Sequence, residues 1–165
     1  MVSLPSAHGR DVASLRSGTG GSGPSSTSEG ASITAEVGDV IAEQTFELSR
    51  DSLVRYAGAS GDFNPIHYRD DVAQSVGLPG VLAHGMLTMG LAVQPVIDWL
   101  GTRGVVSDYG VRFTRPVLVD AQEGAAVTVV AKVGAILDET TRVDLTVTFA
   151  DQTVLGKAQV QVRFS

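Results

Sequence analysis

GMLTMGLAVQPVIDWL, Gly85 to Leu100, carries Met86, Leu87, Met89, Leu91, Val93, Val96, Ile97, Trp99 and Leu100. Set out at 3.6 residues per turn, these side chains cover nearly the whole circumference. The stretch therefore reads as one long helix enclosed on most sides. Pro95 inside it removes a backbone hydrogen bond and can bend it. No Asp, Glu, Lys or Arg occurs between Asp71 and Asp98, a pattern that a hydropathy window takes for a membrane span. Gly77-Leu78-Pro79-Gly80 breaks that run, and Gln74, Ser75, His84 and Gln94 interrupt it. A buried helix in a soluble protein, with no membrane span, is the expectation.

Downstream the period changes from 3.6 to two. Tyr109, Val111 and Phe113 alternate with polar or small residues over 108–116. Val143, Leu145, Val147 and Phe149 do so over 142–149, and Ala158, Val160, Val162 and Phe164 over 157–164. Residues 125–136 repeat the pattern more weakly, and 40–48 can add a first strand. Such alternation marks strands with one buried and one wet face. The short links 138–140 and 151–152 suit antiparallel hairpins. Upstream, Ser49 can cap a short helix with Asp51 in its first turn and Leu53, Val54, Tyr56 and Ala57 on one face. A second helical piece is expected over 70–76, followed by a turn at 76–80. Helices first and consecutive antiparallel strands after them argue for an α+β domain, one sheet with helices on one face.

The ends of the chain differ in kind. Residues 17–30, SGTGGSGPSSTSEG, are almost wholly Gly, Ser and Thr and offer no apolar surface to offset ordering. Residues 1–16 show no sustained periodicity and no apolar run of the signal-peptide kind. Residues 1–32 are read as a dispensable disordered tail and 33–165 as the folded domain. The tail holds Arg10 and Arg16 against Asp11 and Glu29, so the net charge of −6 belongs to the domain. An acidic domain with scattered Arg and Lys is a poor nucleic-acid binder. The chain has no cysteine, which excludes disulfide and thiol chemistry and permits a cytoplasmic location.

Two polar islands interrupt the apolar pattern. SGDFNPIHY, Ser60 to Tyr68, puts Asp62 and His67 five residues apart across Pro65. Proline fixes its own φ and disfavours helix at Asn64, so the chain turns at a defined angle. Such a turn can bring carboxylate and imidazole to one point, where a proton can be taken and given near neutral pH. The plainer reading makes Asp62 a cap, Asn64-Pro65 a turn and His67 a satisfied core residue. AHGM, Ala83 to Met86, stands where the long helix begins. Free N–H groups and a partial positive charge collect there, so the Gly85 amide can receive an oxygen that becomes negative during reaction. The plainer reading has His84 capping the helix. Asp62, His67 and His84 can also form a two-histidine, one-carboxylate metal set. No close pair of histidines occurs in the sequence and His8 lies in the tail, so no metal is expected. Ser60 lacks a nucleophile-elbow context, and no glycine-rich dinucleotide fingerprint follows a strand.

The run Tyr56-Ala57-Gly58-Ala59-Ser60-Gly61-Asp62-Phe63-Asn64-Pro65-Ile66-His67, with Ala73 six residues on, resembles the hydratase-2 signature of the MaoC-like dehydratase family. The likeness continues through GLPGVLAHGMLTMG (77–90) and YGVRFTRPV (109–117), and covers essentially all of 33–165. Within the family it is strongest toward the beta subunits of (3R)-hydroxyacyl-ACP dehydratases. The resemblance implies a single hot-dog fold, an antiparallel sheet wrapped around a long central helix. It implies (R)-specific interconversion of (3R)-hydroxyacyl and trans-2-enoyl thioesters of CoA or acyl carrier protein, with no metal or redox cofactor. Asp62 and His67 take the catalytic positions, and Gly85 the oxyanion position beside His84. Asn64 would hold the loop. Single hot-dog units usually pair, so a homodimer, or a heterodimer with a related subunit, is implied. Arg103, Arg112 and Arg115 are candidates to meet an acidic carrier. The rival readings are an acyl-binding subunit without catalysis, a hot-dog thioesterase, and a lipid-binding module. The intact Asp62 and His67, and the lack of any acid from Met86 to Gln94, argue against the first two.

Overall fold

The computed structural model describes residues 35–165. The tail assigned to 1–32 lies outside them. Five strands and three helices follow in the order β1 (Val40–Leu48), α1 (Arg50–Ser60), α2 (Asp70–Ser75), α3 (Gly85–Leu100), β2 (Gly104–Phe113), β3 (Ala125–Ile136), β4 (Thr141–Phe149) and β5 (Gln152–Phe164). A 3₁₀ turn, Pro65–His67, sits between α1 and α2. The strands form one antiparallel sheet in the order β1-β3-β4-β5-β2. α3 touches β1 and β2, the two edge strands, as well as β3 and β4 between them. A helix can reach both edges only if the sheet curves around it, so this is the hot-dog arrangement.

The alternating side chains meet as cross-strand partners: Val129 opposes Val147, and Val143 opposes Val160. Val127, Val129, Val143, Val147, Val160 and Val162 are fully buried. On α3 the buried face is Thr88, Ala92, Pro95, Val96 and Leu100. Each large aliphatic side chain removed from water contributes about 1.5–3 kcal/mol before chain entropy is subtracted. The β4–β5 turn places Ala150 at φ 48° and Asp151 at φ 58°. Two successive positive φ values are those of a primed turn, whose twist matches that of the flanking strands.

Three sequence expectations are corrected. α3 is not enclosed on most sides by its own chain: Met86 (58% exposed), Gly90, Gln94 and Ile97 (42%) leave an open stripe along it. Strand β5 starts at Gln152, not at 157. Val154 and Leu155 are both buried, and Lys157 takes φ 50°. The pairing with β2 and with β4 shifts by one residue across this bulge, which breaks the alternation. β2 starts four residues before the expected Asp108 and ends at Phe113, whose ring is half exposed.

Candidate active site

α1 begins at a capping box in which Ser49 and Ser52 satisfy each other's backbone N–H groups. It runs through Gly58 and stops at Gly61, whose φ of 78° is the left-handed conformation that closes a helix. The chain then enters the loop expected to carry the chemistry. Asp62 N–H donates to Ser60 Oγ (3.2 Å), and Asn64 N–H donates to Asp62 Oδ1 (3.2 Å). Asn64 Oδ1 accepts from Ile66 N–H (3.3 Å) and caps the 3₁₀ turn. Asn64 thus holds the loop. One carboxylate oxygen of Asp62 performs the turn-forming job of the plainer reading, while the other remains available.

That second oxygen, Oδ2, stands 4.0 Å from His67 Nε2. His67 Nδ1 lies 2.7 Å from the carbonyl of Leu82. A carbonyl only accepts, so Nδ1 carries a proton, and in the neutral ring Nε2 presents its lone pair toward Asp62. The Leu82 segment is itself held on both sides. Leu82 N–H donates to Ile66 O (3.2 Å), Ala83 N–H to Val117 O (2.8 Å) and Val119 N–H to Val81 O (2.9 Å). The His67 side chain is largely buried at 11% exposure, whereas that of Asp62 is 52% exposed.

His84 joins them. Its ring is 1% exposed and stacks on His67 with centroids 3.8 Å apart and planes 25° from parallel. Its Nε2–H donates to the main-chain carbonyl of Asp62 (3.1 Å), and the Tyr56 ring lies 4.8 Å from it at a tilt of 59°. Burial pushes the His84 pKa below its ordinary value, the bond to the Asp62 carbonyl opposing this. His84 makes no side-chain cap bond to α3, contrary to the plainer reading. The first-turn amides, Gly85 included, therefore receive no acceptor from it.

Gly85 lines a cavity of ≈310 Å³ with Ala83, Thr88, Phe113, Arg115 and Val154. A second space of ≈280 Å³ shares Arg115, Pro116 and Val154 with it. Neither Asp62 nor His67 lines these cavities. His84, which directly precedes Gly85, touches both members of the pair. A Cβ on Gly85 would stand 3.1 Å from the Phe113 ring, a tight contact to which that half-exposed ring would have to yield.

Asp62, His67 and His84 offer ligand atoms within 4.8 Å of one another. The stacking does not suit a metal. Imidazole lone pairs lie in the ring plane, and two nearly parallel planes do not aim them at a common ion. Of the three arginines that the sequence offered as candidates to meet a carrier, Arg103 is spent on α3, donating to the carbonyls of Leu100 (3.2 Å) and Trp99. Arg115 donates to Thr153 O (3.2 Å) beside the cavity, and Arg112 is exposed on β2. Sequence reasoning missed Leu82, which acts through a backbone carbonyl and leaves no residue-type signal. It also missed Tyr56 and Phe113, which stood inside the quoted motifs without an assigned partner.

Residues 32–152 match the family model described as MaoC like domain. The chain belongs to the MaoC-like dehydratase family. Over 70 residues it is 44% identical to 3-hydroxyacyl-thioester dehydratase X of Mycobacterium tuberculosis, covering 42% of this chain and 24% of that protein. A solved MaoC-like dehydratase is 39% identical with a TM-score of 0.74, over 79% of this chain and 41% of that one. R-hydratase PhaJ1 from Pseudomonas aeruginosa is 28% identical with a TM-score of 0.68, over 79% of this chain and 82% of that one. The chain spans less than half the length of the first two relatives. Among the described residues, no helix is long and apolar enough to cross a membrane.

Proposed function

We propose that this MaoC-like chain is an (R)-specific hydro-lyase that interconverts (3R)-hydroxyacyl and trans-2-enoyl thioesters in fatty-acid metabolism. The observation that carries the reading is the Asp62–His67 pair, 4.0 Å apart, with His67 Nδ1–H engaged by Leu82 O and Nε2 left as an acceptor. Two acceptors at this spacing suit the two hydrogens of one water. Hydrogen bonds of about 2.8 Å to each would meet at roughly 90° at its oxygen, near the H–O–H angle. The water's lone pair is then free to bond to C3. As that bond forms, the C2=C3 π electrons move toward the thioester. Its carbonyl oxygen gains negative charge opposite the Gly85 N–H and the positive end of α3. One water proton passes through the pair to C2 and the hydroxyl stays on C3. Dehydration runs the same steps in reverse, with C2–H surrendered to the pair and the hydroxyl leaving as water.

The assembly is part of the proposal. Met86 and Ile97 on α3, with Val105 and Phe113 on the edge strand β2, are exposed apolar side chains on one chain. A second copy or a related hot-dog subunit covering them would complete the acyl tunnel, in a cytoplasmic enzyme. The pair would then face a cavity that it does not line in one chain. The test follows loss of the enoyl thioester absorbance of crotonyl-CoA, and of a crotonyl carrier protein, with wild type, Asp62→Asn and His67→Ala. Hydration by wild type, abolished in both variants, supports the assignment, and the better carrier names the substrate class. Equal rates in all three sink it.

A further inference from the structure

We infer that His84 is a positioning residue, a neutral imidazole that fixes the Asp62–His67 pair from behind and leaves His67 alone to carry the proton. The inference rests on the proposed hydratase reading, whose mechanism uses Asp62, His67 and Gly85 and leaves a fully buried histidine without a task.

Three contacts define that task. Nε2–H of His84 holds the main-chain carbonyl of Asp62 at 3.1 Å, so it sets where the carboxylate starts. The ring face of His84 lies 3.8 Å from that of His67, so it sets how His67 is tilted toward Asp62. The Tyr56 ring, 4.8 Å away and tilted by 59°, packs against His84 as well. A single side chain therefore touches both members of the pair, and its own backbone leads into Gly85. A shift of about 1 Å in such a constellation can cost a hundredfold in rate.

The protonation state follows from the same geometry. The titratable groups facing His84 are Asp62, His67 and Tyr56. Nε2 carries the proton given to the Asp62 carbonyl, while Nδ1 is buried and has no partner among the described residues. A proton added at Nδ1 would create a buried charge without an acceptor, stacked on His67. Burial accordingly lowers the His84 pKa. With His84 held neutral, His67 can take a proton without an imidazolium against its face.

Two measurements test this. Imidazole 15N spectra of the full chain, which has three histidines, are assigned with the variants His67→Gln and His84→Gln. The expected result is a His84 that is still neutral and protonated on Nε2 at the ordinary histidine value of 6.5. A His84 that is already half charged at or above that value, or carries its proton on Nδ1, overturns the proposal. The second measurement uses crotonyl-CoA kinetics of His84→Phe, which keeps a stacking ring without the donor, and His84→Gln, which keeps an N–H without the ring. Both should lose roughly tenfold to a hundredfold in kcat per folded chain, with KM moved less than about threefold and the kcat–pH profile shifted. A kcat within about twofold of wild type in both, or a loss matched by unfolded chain with an unmoved pH profile, also overturns it. If wild type hydrates neither crotonyl-CoA nor the crotonyl carrier protein, the hydratase reading falls and the spectra alone judge His84.

Discussion

The Asp62 carboxylate divides its two oxygens between structure and chemistry: Oδ1 accepts the Asn64 amide at 3.2 Å, and Oδ2 faces Nε2 of His67 at 4.0 Å. Asp62→Asn should therefore fold normally, because an amide oxygen can still accept from Asn64. It should lose the acceptor that faces the imidazole, and hydration of crotonyl-CoA should fall by about 10²–10⁴. His67→Ala should fall by a similar factor, with unchanged far-UV circular dichroism. A thermal midpoint unmoved in Asp62→Asn, beside a collapsed kcat, is the combination to look for.

Gly85→Ala places a methyl group 3.1 Å from the Phe113 ring. That ring is half exposed and must swing away or push α3. The expected outcome is a folded protein with kcat/KM reduced about tenfold, because the first-turn amide is displaced from the substrate oxygen. Phe113→Ala in the same chain removes the clash and should restore part of the rate. No recovery in the double variant would point to the methyl blocking the substrate directly.

The lowered pKa of His84 has a defined sign for stability. The unfolded chain binds a proton near the ordinary histidine value of 6.5, and the folded chain resists it. Stability from this group is complete above that value and is lost as pH falls toward the folded pKa. Asp70, lowered chiefly by its hydrogen bond to Arg50, loses its contribution only at lower pH, below its ordinary 3.8. Thermal midpoints should thus decline between neutrality and about pH 5 in wild type, and less so in His84→Gln. Parallel curves would remove His84 as the cause.

Leu53 is the fully buried anchor of α1, the helix that delivers the Asp62 loop. Truncation to alanine should cost about 2–5 kcal/mol in urea unfolding. A loss well below 1 kcal/mol would mean that α1 is not held through this side chain.

Ile97 lies on the open stripe of α3. Ile97→Asp should leave the fold of the single chain intact, since no buried residue is replaced. If that stripe meets a second subunit, sedimentation should show a smaller species, and hydration should fall with it. An unchanged assembly would move the interface elsewhere.

Much of the molecule was legible in the residues. The bounds of α3, β1 and β3 follow from periodicity, because a helix or strand with one packed face repeats its apolar side chains at 3.6 or at two. The start of β5 was not legible, because the bulge at Lys157 reverses which side chains point inward. That Asp62, Asn64 and His67 share a turn was legible because Pro65 interrupts the helix, whereas their roles were implied only by the resemblance of the motif. The role of His84 was not, because a contact with His67 seventeen positions away depends on how the 81–84 segment is held between the loop and residues 117–119.

By itself the sequence determined that a buried helix would be followed by antiparallel strands, and that a carboxylate and an imidazole would share one short turn. Local backbone sterics and the hydrophobic period are enough for that. Only the tertiary structure decided which oxygen of Asp62 is free, which nitrogen of His67 bears the proton, and that one face of α3 stays open. Those depend on Leu82, His84 and the curvature of the sheet, groups brought together by packing between segments far apart in the chain.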